Sequence, residues 1–275
     1  MKNVFLLSIG LMAISCTRSE PRTAENITIN KTTPLEASPE LLQEKEKLRL
    51  VLEKAEIPNA LSQKIMNDYQ NEFMPMLFAA LEGDPYLRLL VDKKHPIFPL
   101  EYTPDDLVKL TGNGAFHISR ANMMLRDPAK TALEEMAQLA QNEGITLTVS
   151  SAYRSYDYQT EVYNRNVRQN GQATADRESA RPGYSQHQLG MVIDFGSITD
   201  DFAGTPAGKW LTGHAAEFGW SLSFPQGYES ITGYRWECWH YRYVGKPIVR
   251  FASKWFDGIQ QYALQFLHEW ECLKD

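Results

Sequence analysis

The sequence holds six histidines, few enough to weigh one by one. His187 sits in Ser185-Gln186-His187-Gln188-Leu189-Gly190, shortly before Asp194, and His240 closes Glu237-Cys238-Trp239-His240. Two imidazoles and one carboxylate suit a hydrolytic zinc ion and leave a fourth position for water. Zinc lowers the pKa of that water to about 7 and polarises a substrate carbonyl. A carboxylate beside the metal, but not bound to it, must then take the proton. Glu237 is the candidate base.

Each of these residues also has a plainer role. A histidine near an apolar strand is usually a hydrogen-bonded packing residue, and an aspartate ending a strand is usually a turn residue. Spacing alone leaves both readings open. The zinc reading also makes a geometric demand. Residues three apart on a straight strand point to opposite faces, so Glu237 and His240 can share a metal only if the chain bends between them.

The elements that must hold these residues can be traced along the chain. Residues 41–56 and 61–81 read as two or three helices, interrupted at Pro75, with a solvated charged face. Prolines 96, 99 and 104 punctuate a loop-rich stretch. Asp127-Pro128 opens an amphipathic helix with Leu133, Met136, Ala137 and Ala140 on one face, and Gly144 ends it. Residues 145–150 alternate as a strand, 158–168 read as a helix and 191–195 as a short apolar strand. A helix over 206–218 stops at Gly219, and strands follow over 220–224 and 235–244. Residues 248–270 read as one tail helix, in which Phe251, Trp255, Ile259, Tyr262, Phe266 and Trp270 recur at helical spacing. Without a regular βαβ rhythm the fold class is α+β.

In this setting the motifs resemble those of the VanY-type zinc D,D-/L,D-carboxypeptidases, the peptidoglycan-trimming branch of the M15 metallopeptidases. Four segments carry the resemblance, in order: Tyr102-Thr103-Pro104-Asp105-Asp106-Leu107; Ser151-Ala152-Tyr153-Arg154-Ser155 with Gln159; residues 185–194; and Glu237-Cys238-Trp239-His240-Tyr241-Arg242-Tyr243-Val244-Gly245. It spans roughly residues 87–270. Cys238 replaces a frequent proline and Val192 a common alanine, and neither change removes a functional group. The resemblance implies a small, mostly antiparallel sheet flanked by helices, of the hedgehog/DD-peptidase kind, preceded here by a helical N-terminal region. It implies one Zn2+ on His187, Asp194 and His240, with Glu237 as general base. Arg154 would hold anionic oxygen, a task for which a planar, permanently charged guanidinium is suited. Gln159 and Ser185 would hydrogen-bond the substrate.

The remaining histidines and the Asp200-Asp201 pair have plain readings as packing, surface and turn residues. The start of the chain reads as an export signal: Lys2, an apolar run over residues 4–14, then Ser15-Cys16. Ala13-Ile14-Ser15-Cys16 resembles a lipobox, which makes Cys16 the lipidation site; a plain signal cut nearby is the alternative. The expected organisation is a signal over 1–15, a tether over 16–40, a helical region over 41–86 and a zinc peptidase domain over 87–275. Cys238 and Cys272 either pair or stay free thiols. A net charge of −6 argues against a general nucleic-acid binder.

The expected function is removal of a terminal D-amino acid, D-alanine in the leading reading, from peptidoglycan stem peptides by a monomer anchored through lipid at the cell envelope. Endopeptidase cleavage with the same zinc centre, and a non-catalytic wall-binding lipoprotein, are the alternatives.

Overall fold

The sheet is organised around a strand whose four residues are all buried. A computed structural model of the protein describes residues 39–112 and 114–273; the expected signal, Cys16 and the tether up to residue 38 lie outside them. In order, the helices are α1 (Pro39–Lys54), α2 (Asn59–Asp68), α3 (Met74–Leu81), α4 (Pro85–Arg88), α5 (Asp127–Asn142), α6 (Tyr156–Asn170), α7 (Gln172–Glu178), α8 (Pro206–His214), α9 (Glu229–Thr232), α10 (Gly245–Trp255) and α11 (Gln260–Cys272). The strands are β1 (Leu107–Lys109), β2 (Phe116–Ile118), β3 (Met124–Arg126), β4 (Leu147–Ser151), β5 (Val192–Phe195), β6 (Trp220–Leu222) and β7 (His240–Tyr243). A single π-helical turn, Tyr69–Phe73, joins α2 to α3.

The main sheet runs β2-β4-β5-β7-β6, parallel only between β2 and β4. A separate antiparallel pair joins β1 to β3. This is the expected α+β, mostly antiparallel arrangement. Central β5 reads Val-Ile-Asp-Phe because both of its faces are covered, which favours a continuous apolar run. Asp194 is the exception in that run, and a buried carboxylate has to find compensating partners.

Along α5 the buried residues Ala129, Leu133, Met136, Ala137 and Ala140 form the stripe that packs on the sheet. Its N-cap is Arg126 rather than Asp127, which falls in the first turn with Pro128.

A second core joins the first and last described helices. Helices α1 to α3 pack with α10 and α11 around Phe73, whose ring meets Phe251, Trp255 and Phe266, each at a centroid distance of 5.3 Å. The expected single tail helix is broken at Phe256, Asp257 and Gly258, where Asp257 and Gly258 take positive φ. The aromatic period runs through the break because both helices face the same core. Arg242, fully buried on β7, fastens this region to the sheet: its Nη2 donates to the carbonyls of Tyr86, Leu87 and Leu89 at 3.1, 3.3 and 2.9 Å. Among the described residues no helix is long and apolar enough to cross a membrane.

Candidate metal centre

The register of β5 against β7 sets Asp194 directly opposite His240. His187 comes from a 3-10 turn, Gln186–Leu189, immediately before β5. That turn closes at Gly190 in the left-handed conformation, φ +69°, where a Cβ would lie 2.9 Å from Leu107 Cδ2. Glycine therefore lets the chain turn sharply from His187 into the strand. Ligand atoms of His187, Asp194 and His240 lie within 4.8 Å of one another, and all three residues are buried.

The hydrogen-bond partners fix which atoms face inward. His187 Nδ1 lies 2.7 Å from the Ala152 carbonyl, which can only accept, so Nδ1 carries the proton and Nε2 presents a lone pair to Asp194 Oδ2 at 3.2 Å. Gln186 donates its amide to the Val91 carbonyl and thereby turns Oε1 towards His240 Nε2 at 3.3 Å. Nε2 then carries the proton and Nδ1 faces Asp194 Oδ1 at 3.1 Å. Asp194 Oδ1 has no hydrogen-bond donor. Three acceptors converging without a proton between them form a cation site. Two imidazoles, one carboxylate and outer partners that fix each imidazole suit zinc.

Burial, and then the Arg154 charge, pull the His187 pKa down to about 4, which keeps the ring neutral as a ligand must be. Burial by itself would raise the Asp194 carboxyl, but the Arg154 guanidinium donating to Oδ2 favours its charged form, and it is held well below the usual range.

Glu237 meets the geometric demand. The strand expected over 235–244 starts only at His240, and the preceding segment is a turn closed by the His240 N–H donating to the Glu237 carbonyl at 3.2 Å. The bend brings Glu237 Oε2 to 3.5 Å from His240 Nδ1. Burial, reinforced by the Asp194 charge, pushes the Glu237 carboxyl up to about 8.

Arg154 leaves the end of β4 and is held three ways. Nε donates to Ser151 Oγ at 3.0 Å, Nη1 to Gln159 Oε1 at 3.4 Å and Nη2 to Asp194 Oδ2 at 2.7 Å. Gln159 is fully buried, and its amide donates to the Ala180 carbonyl at 2.7 Å. Ser185 lines the same cleft as Arg154, Glu237 and the three candidate ligands.

Sequence reasoning missed Gln186. Its Oε1 also accepts from Ser223 Oγ at 2.8 Å, and Ser223 reaches Gln260 on α11 at 3.4 Å. Its place beside His187 was visible, but its partners come from three distant segments. Missed too was Phe224, whose ring packs 4.6 Å from that of His240. His214 stacks on Trp210 and Asp200 pairs with Arg235, in keeping with their plain readings. Cys238 and Cys272 are free thiols.

Residues 122–246 match the family model described as VanY, D-alanyl-D-alanine carboxypeptidase. YodJ of Bacillus subtilis is 36% identical over 167 residues, covering 58% of this chain and 61% of its own length. A D-alanyl-D-alanine carboxypeptidase of Enterococcus faecium is 29% identical, covering 58% of this chain and 51% of that protein. The chain thus spans half to three fifths of these curated relatives. Among solved structures, the LdcB LD-carboxypeptidase is 32% identical with a TM-score of 0.54, covering 62% of this chain and 85% of that one. A vancomycin-resistance D,D-pentapeptidase VanY in complex with Zn(II) shares the fold at 24% identity and a TM-score of 0.53, over 64% of this chain and 98% of that one. Family model, relatives and site geometry lead to one conclusion: the chain belongs to the VanY-type carboxypeptidases of the M15 metallopeptidases.

Proposed function

We propose that this protein is a zinc-dependent carboxypeptidase that removes a terminal D-amino acid, D-alanine in the first instance, from peptidoglycan stem peptides. The observation that carries this reading is the convergence of buried His187, Asp194 and His240 with Glu237 and Arg154 on one cleft.

His187 Nε2, Asp194 and His240 Nδ1 would hold one zinc ion, which supplies Lewis acidity at the scissile carbonyl and acidifies water. Glu237 takes the proton of the attacking water and passes it to the leaving amine. Arg154 holds anionic oxygen, from the terminal carboxylate or the tetrahedral intermediate, and Gln159 and Ser151 keep its fork in place. Ser185, in the cleft wall, hydrogen-bonds the peptide.

In this reading the chain acts as a monomer outside the cytoplasm, tethered through a lipidated Cys16. The test is incubation of the zinc-loaded mature protein with purified muropeptides and mass spectrometry of the products. Release of one D-amino acid supports the reading, and release of a larger fragment, or of nothing, overturns it.

A further inference from the structure

A second cavity of about 340 Å³ opens beside the metal cleft. Ser179, Tyr184 and Tyr234 line both, while Lys93, Asp176 and Arg181 line only the second of the two. A substrate seated at the metal can therefore extend past the two tyrosines into a space walled by charge.

The charges there do not cancel. Asp176 is taken up by Arg181, with contacts of 3.1 and 3.2 Å, and by Tyr163 and Gln172. Glu229, on the neighbouring helix α9, is gripped by Arg177 through both carboxylate oxygens. Each acid thus has its own arginine. Lys93 is left over: among the described residues no carboxylate comes within 4.0 Å of its Nζ. Its ammonium instead donates to the Asp176 main-chain carbonyl and sits 4.5 Å above the Tyr234 ring.

Lys93 is also held in place. Its stem lies against Gly233, where a Cβ would come within 3.0 Å of Lys93 Cδ, so the glycine leaves the room that the lysine occupies. A long, flexible cation on a protein surface ordinarily keeps its head in water. Lys93 is exposed, yet its contact with the wall is enough that partial burial, with Arg181, pulls the ammonium's pKa below the ordinary lysine value, although Asp176 and Glu229 act in the opposite direction. An exposed cation short of counter-charge, beside a cavity that shares Ser179, Tyr184 and Tyr234 with the reaction cleft, is a place for an anion.

We propose that Lys93 is the anchor of a substrate subsite that reads a free carboxylate on the peptide upstream of the scissile bond. Tyr184 and Tyr234 flank the backbone on its way there. This rests on the carboxypeptidase reading, and it makes the enzyme selective for acidic over amidated peptides. The lysine forms a hydrogen-bonded ion pair with the carboxylate, and a carboxamide at the same place forgoes the charge.

The test uses synthetic peptides ending in D-alanine, matched in pairs that carry either a carboxylate or a carboxamide one, two or three residues before the scissile bond. With the wild-type zinc enzyme, one carboxylate peptide should show a KM about 10-fold or more below its amide partner, with similar kcat. Lys93→Gln should raise KM for that carboxylate peptide to the level of the amide and leave the amide peptide unchanged; Lys93→Arg should restore most of the preference. Equal KM values within every pair, or an equal loss on both peptides in Lys93→Gln, overturn the subsite. Hydrolysis of no peptide at all would instead count against the carboxypeptidase reading. In that event, binding of the same pairs to zinc-loaded protein by calorimetry decides on the subsite: a carboxylate preference lost in Lys93→Gln supports it, and its absence overturns it.

Discussion

Glu237 and Asp194 approach the same nitrogen, His240 Nδ1, at 3.5 and 3.1 Å. One carboxylate faces the nitrogen across a strand pair and the other reaches it from a turn in the same chain. Proposed ligand and proposed base are thus separated by backbone geometry rather than by residue type. Replacing Glu237 with Gln should lower kcat by about 100- to 10,000-fold, the usual range for a lost acid–base group. Zinc content, read by atomic absorption, should stay at one ion per chain. Wild-type turnover in the variant would refute the assignment.

The raised Glu237 pKa has a consequence for stability in the metal-stripped protein. Between about 4.5 and 8 the folded state keeps a proton that the unfolded chain releases, so stability falls as pH rises through that window. The slope from this group is at most about 1.4 kcal/mol per pH unit. His187, neutral in the fold down to about pH 4, contributes the opposite slope between about 4 and 6.5. Urea denaturation of wild type and Glu237→Gln, each treated with chelator, isolates the first effect. The advantage of the variant should grow from pH 5 to pH 8, and parallel curves would contradict it.

Gln186 turns the protonated Nε2 of His240 away from the metal by accepting from it. Gln186→Leu keeps the size and removes the acceptor. Zinc affinity should fall about 10- to 100-fold, the typical effect of losing an outer partner of a metal ligand. Competition with a chromogenic chelator measures it directly. An unchanged affinity would mean that the strand register alone orients His240.

The guanidinium of Arg154 divides its donors among Ser151, Gln159 and Asp194. A lysine keeps the charge but cannot reproduce that fork. Arg154→Lys should therefore reduce kcat/KM by about 100-fold or more. Activity within a factor of two of wild type would exclude a role in holding anionic oxygen.

Phe73, fully buried against three aromatic rings, ties the N-terminal helices to α10 and α11. Phe73→Ala should cost about 3 to 5 kcal/mol of unfolding free energy, by denaturant titration. A loss below 1 kcal/mol would show that this second core contributes little.

How much of this was legible in the sequence depends on the range over which the contacts act. The α5 stripe and the alternation in β4 follow from local period, although the strand runs from Leu147 to Ser151 rather than over 145–150. The break at Asp257 and Gly258 was hidden, because the aromatic spacing is set by a shared core and not by one helix axis. At the metal centre, residue types and motif order brought out His187, Asp194, His240, Glu237 and Arg154. Gln186, Ser223 and Lys93 stayed silent: each matters through a partner from another part of the chain, and no local pattern records such a partner.

The pairing of Asp194 with His240 across β5 and β7 also bears on when the centre can exist. Before those strands dock, its donors are scattered along a chain and hold no chelate. One slip in register turns Asp194 to the opposite face. Metal capture is therefore a late event that reports completed sheet assembly. A nascent or mispaired chain has little with which to sequester the ion.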